Sequence, residues 1–126
     1  MDKQIESVLQ KVVNIPNDFY RIQTVSENTL LTQSGYLDMH DCINEEEISE
    51  LLKINPSLIN DWLQLSADQR VTEAWYFTRG EDGKCFVGHF PDGNEFVEIS
   101  TTDEFKACAA FIKLHIEDTR RYLKSK

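Results

Sequence analysis

Over the first fifteen residues, Ile5, Val8, Leu9, Val12 and Val13 recur every three or four positions, while Lys3, Glu6, Gln10 and Lys11 fill the other face. That is the period of an amphipathic helix, with Asp2 placed to cap it and Pro16 to end it. From Pro16 to His40 the apolar residues Phe19, Tyr20, Ile22, Val25, Leu30, Leu31, Tyr36 and Leu37 keep neither helical nor strand period cleanly. Ser26, Asn28 and Ser34-Gly35 interrupt them, and the segment reads as mostly helical. At Asn44 the pattern sharpens: Glu47 follows three residues on, as in a capping box, and Glu45, Glu46 and Glu47 occupy a first turn whose dipole favours carboxylates. Ile48, Leu51 and Leu52 supply that helix with its apolar stripe. Asn55-Pro56 closes it and offers an N-cap and first-turn proline to a further helix carrying Leu58, Ile59, Trp62 and Leu63.

The period then changes to two. Ala74 to Thr78, Cys85 to Phe90 and Glu95 to Ile99 are β-branched and aromatic runs, separated by Gly80-Glu81-Asp82-Gly83 and Pro91-Asp92-Gly93-Asn94, both rich in turn formers. Alternation puts Trp75 with Phe77, Phe86 with Gly88 and Phe90, and Val97 with Ile99 on shared faces. Thr101 with Glu104 resembles another capping box, opening a helix from about Thr102 to Tyr122 lined by Phe105, Ala109, Ile112, Ile116 and Leu123 and widened by Phe111 and Leu114. The predicted fold is a single α+β domain over residues 1–126: N-terminal helices, a three-stranded antiparallel meander, and a long C-terminal helix packed on the sheet. Trp75, Phe77, Phe86, Val97 and Ile99 are expected to be buried between the meander and that helix.

Composition agrees with one globular core: 126 residues, 40% apolar and 28% charged, with five Gly and three Pro. Charge narrows the partners. Thirteen Lys and Arg against 22 Asp and Glu leave a net −9, which repels phosphate backbones and anionic lipid headgroups, so neither nucleic acid nor membrane is an expected partner and a basic protein is. The helix pair after Asn44 invites a DNA-binding reading, yet residues 44–69 hold only Lys53 against six acids, the wrong charge for a recognition helix. No apolar run approaches a membrane span and the N-terminus lacks a signal-peptide layout, so the expected compartment is the cytoplasm. Cys42, Cys85 and Cys108 form no disulfide or zinc pattern and are expected to be small buried apolar residues.

Catalytic signatures are absent: there is no G-x-S-x-G, H-E-x-x-H, Walker loop or G-x-G-x-x-G. His40-Asp41-Cys42 has the residue types of a thiol nucleophile, but sequence neighbours diverge, and a dyad would need His89 or His115 to reach Cys42. His89 reads as a packed strand residue, and Asp82 and Asp92 as turn formers rather than metal ligands. No catalytic residues, no metal and no cofactor are expected, and the protein reads as a non-enzyme. What stands out is the acidic lead-in Asp38, Asp41, Glu45, Glu46, Glu47 and Glu50, thirteen residues without a Lys or Arg. A solvated helix start explains such a run, and a partner-binding patch is the functional alternative. Glu81-Asp82 and the Asp92 to Glu95 turn are second-choice contacts. Trp62 and Trp75, at helical and strand spacing, read as core, with interface anchoring as the alternative.

The run Asn55-Pro56-Ser57-Leu58-Ile59-Asn60-Asp61-Trp62-Leu63, followed by Ala74-Trp75-Tyr76-Phe77, Gly88-His89-Phe90 and the Phe105-Lys106-Ala107-Cys108-Ala109-Ala110-Phe111-Ile112 helix, resembles small acidic bacterial immunity proteins. Those accompany polymorphic or contact-dependent growth inhibition toxins. The resemblance covers residues 44–116 as a layout and an aromatic pattern. It implies a stoichiometric inhibitor that binds a cognate toxin domain, often a nuclease, in the cytoplasm, and it carries over no toxin-contacting residue. A non-enzymatic acidic adaptor or regulatory domain binding another basic protein is the alternative reading, and a small hydrolase or transferase the third.

Overall fold

The computed structural model describes residues 3–69, 74–89 and 96–125, without the side chains of 96–98. The elements run α1 (Lys3–Val13), α2 (Ile15–Ile22), α3 (Glu27–Ser34), α4 (Tyr36–Met39), a 3-10 turn over His40–Cys42, α5 (Glu45–Ile54), α6 (Ser57–Asp68), β1 (Trp75–Arg79), β2 (Cys85–His89), β3 (Phe96–Thr101) and α7 (Glu104–Lys124). The strands form an antiparallel β1-β2-β3 meander, and α7 packs against all three strands as well as α5 and α6. This is the α+β architecture read from the hydrophobic pattern.

Local chemistry explains most boundaries. Val8, Leu9, Val12 and Val13 bury the predicted face of α1. The stretch from Pro16 to His40 resolves into three short helices. Pro16 sits in the first turn of α2, Ser26 caps α3 by accepting from the Thr29 amide at 3.1 Å, and Gly35 ends α3 in the left-handed region at φ 89°. A Cβ at Gly35 would lie 3.2 Å from Val8 Cγ2, so both conformation and space select glycine. Gly35→Ala is expected to cost about 1–2 kcal/mol from the backbone alone, measurable as a lower urea midpoint with an unchanged slope. Asn44 caps α5 by accepting from the Glu47 amide at 2.9 Å, as its spacing implies.

Several expectations are corrected. Asn55 does not cap α6: Pro56 takes that position, and the Asn55 side chain accepts from the Ser57 hydroxyl at 2.8 Å instead. The cap of α7 is Asp103, whose carboxylate accepts from the amides of Phe105 and Lys106, each at 3.1 Å. Thr101 stands two residues earlier, its hydroxyl accepting from the Asp103 amide. On β2 the core face is Cys85 and Val87, set by the pairing Phe77↔Val87↔Ile99, which turns Phe86 to the opposite face beneath the Lys84 ammonium. Phe77 is buried as expected, whereas Trp75 and Ile99 are half-buried. An irregularity after Val87 pairs Gly88 with Val97, breaking simple alternation along β3. Cys85 and Cys108 are buried but Cys42 is exposed, contrary to the small-apolar reading. The expected cap at Asp2, strand end at Phe90, turn from Pro91 to Asn94 and strand start at Glu95 lie outside the described residues, as does the side chain of Val97.

The core is aromatic at its centre. Trp62 on α6 meets Phe111 on α7 edge-on at 6.1 Å, and Phe111 stacks on Phe77 at 5.8 Å. Residues 107–112 are buried without a break, so that stretch of α7 is covered all round by the sheet on one side and α5 and α6 on the others. The free edge of β1 is closed by α6: the Phe77 amide donates to the Ser66 hydroxyl at 2.7 Å, and the Gln69 side-chain amide donates to the Trp75 carbonyl at 2.9 Å.

Candidate functional site

The structure brings Asp41, Glu45 and Glu46 of the acidic lead-in to one groove. Asp38 on α4, Asp41 in the 3-10 turn, and Glu45, Glu46 and Glu50 on α5 are exposed, and Glu47 is half-buried at the capped first turn. Carboxylates at a helix start are favoured by the unpaired amides there, so the fold tolerates the concentration of charge. Little cancels it: Lys53 pairs with Glu50 at 3.3 Å, and His40 Nδ1 lies 3.1 Å from Asp41.

The nearest strong cations are committed inward. Glu117 on α7 accepts from the Tyr36 phenol and holds both arms of Arg120, with Nε and Nη2 each at 3.0 Å. Lys113, one turn earlier, donates to the Tyr36 oxygen at 2.8 Å and to the His40 carbonyl at 3.0 Å. Tyr36 is fully buried. Burial by itself would raise the Glu117 carboxyl, but the hydrogen bonds from Arg120 and Tyr36 and the charge of Lys113 outweigh it and bring it down to about 2. Burial, then the hydrogen bond to Glu117, pushes the Tyr36 phenol up, and burial lowers Lys113 against the pull of Glu117. This network fixes α4 and the 3-10 turn to α7 and so holds the acidic surface in place. A groove of about 720 Å³ runs between Asp41, Glu45 and Glu46 on one wall and Lys113 and Glu117 on the other.

The second-choice contacts are elsewhere. Glu81 and Asp82 are exposed at the β1–β2 turn, the end of the meander where Arg79 bridges to Glu104 at 3.1 Å and to Asn60 at 3.0 Å. Asp82 accepts from the Lys84 amide at 3.1 Å, the turn-forming role its position suggests. The structure therefore does not bring Glu81 and Asp82 together with the α4–α5 carboxylates, whose groove meets the second half of α7. Asp92 to Glu95 lie outside the described residues.

The His40-Asp41-Cys42 triplet assembles no thiol site. His40 turns to Asp41, His115 Nε2 lies 3.0 Å from Glu27 Oε1 and stacks on Phe111, and His89 packs edge-on against Trp75 with ring centres 5.0 Å apart. Among the described residues no three His, Cys, Asp or Glu side chains are grouped to hold a metal ion, and no helix is long and apolar enough to cross a membrane. Of the two tryptophans, Trp62 is core, its indole donating to the Val13 carbonyl at 3.0 Å. Trp75 is half-buried and borders two hollows. Sequence reasoning missed Tyr36, Lys113, Glu117 and Arg120 as a unit, because the pairs are separated by 77 and 81 residues and carry no local signal.

The fold and surface define an α+β domain presenting an exposed acidic face that Lys53, His40 and Lys113 offset only in part. No protein-family model, curated protein or solved structure matches the chain.

Proposed function

We propose that the protein is an immunity protein that binds a cognate toxin domain, a nuclease being the expected class, and neutralises it by covering a basic active-site cleft. The observation that carries the reading is the acidic face formed by Asp38, Asp41, Glu45, Glu46 and Glu50, exposed while the neighbouring Lys113 and Arg120 are spent on internal partners. A nuclease must present Lys and Arg to phosphates, and a partner of net −9 is steered onto such a cleft and held there by charge complementarity. Occlusion requires no catalytic group, in keeping with the non-enzymatic reading. The resemblance of residues 44–116 to immunity proteins supports the same assignment. A bacterial cell's cytoplasm is where such an inhibitor acts.

The test is to co-purify the protein with its neighbouring gene products and to measure, as salt is raised, its association with any basic protein so captured. The association rate should fall at least tenfold as the Debye length shrinks from about 10 Å to about 3 Å, with dissociation changing less. Replacing Glu45, Glu46, Glu47 and Glu50 with Gln should slow association and weaken protection of a toxin-expressing cell. Loss of the helix-start carboxylates costs about 0.3–1 kcal/mol each at low salt, so circular dichroism should show the variant folded. Unaltered affinity would move the interface elsewhere, and association indifferent to salt would remove the electrostatic argument.

A further inference from the structure

We draw no further inference here: the strongest candidate, the hollow of about 360 Å³ between the start of α3 and the second half of α7, carries nothing, because Glu27 and Asp118 on its wall are already paired with His115 and Arg121 and nothing among the described residues selects a ligand for it.

Discussion

Trp62→Ala is expected to lower the unfolding free energy by about 3–5 kcal/mol, the range for deleting a large buried aromatic. Trp62 has no exposed surface and contacts Phe111 and His115 on α7, so its removal opens a cavity where α6 and α7 meet. It also orphans the Val13 carbonyl, which ends α1 and receives the indole N–H at 3.0 Å. A domain of this size has about 5–15 kcal/mol in all, so the loss should be visible as a melting temperature lower by ten degrees or more. Trp62→Phe separates the two contributions. It refills most of the volume, and its residual cost of about 1–3 kcal/mol reports the unmet carbonyl and the incomplete packing. A chemical-denaturation series on the three proteins measures both, and a loss below about 1 kcal/mol for the alanine variant would contradict the packing described here.

Among the described carboxylates, Glu117 should be the largest single source of acid sensitivity. Its side chain is 16% exposed, and its carboxyl is depressed from 4.5 to about 2. A group with a lower pKa in the folded state than in the unfolded chain contributes stability that is complete above the unfolded value and is lost as pH falls through the folded one. The window is therefore pH 4.5 down to about 2, and a shift of that size corresponds to about 3 kcal/mol. Glu117→Gln keeps the shape but leaves Arg120 and Lys113 without their shared counter-charge. At pH 7 it should cost about 2–3 kcal/mol, as for hydrogen bonds to a charged partner. The gap between wild type and variant should then close as pH approaches 2, because the protonated wild-type carboxyl no longer differs in charge from the amide. Urea midpoints at several pH values test this, and a gap independent of pH would assign Glu117 a purely steric role. Because the same network ties the 3-10 turn at His40 to α7, the variant should also loosen the acidic face, seen as faster amide exchange in residues 40–44.

Wherever structure follows from near neighbours, it was legible in the chain. The Asn44–Glu47 spacing, the four-residue turn at Gly80 to Gly83, and the apolar stripes of α1, α5, α6 and α7 depend on interactions spanning a few residues. Caps, turns and periods therefore predict the order of elements and the α+β class. Placement within a turn was less secure: Thr101 and Asp103 are both competent caps, and the one whose carboxylate reaches two amides prevails. Between Val25 and Leu37 the helices are too short for their period to emerge, and Ser26 and Gly35 mark their ends only once the cap geometry is seen.

Three matters belonged to the tertiary structure alone. On β2 either parity offers a plausible inner face, Cys85 with Val87 or Phe86 with Phe90, and only pairing with Phe77 and docking on α7 select the first. The acidic lead-in is visible as a run of carboxylates, yet whether it is neutralised depends on where Lys113 and Arg120 point. Their partners Tyr36 and Glu117 are 81 residues apart. Trp75 reads as core from its alternation with Phe77, but it is half-buried and borders a hollow with Leu114, Glu117 and Asp118 of α7. In each case, local patterning specifies what a residue is able to do, and the meeting of distant elements decides which of those things it does, because burial and charge compensation are properties of a neighbourhood rather than of a position in the chain.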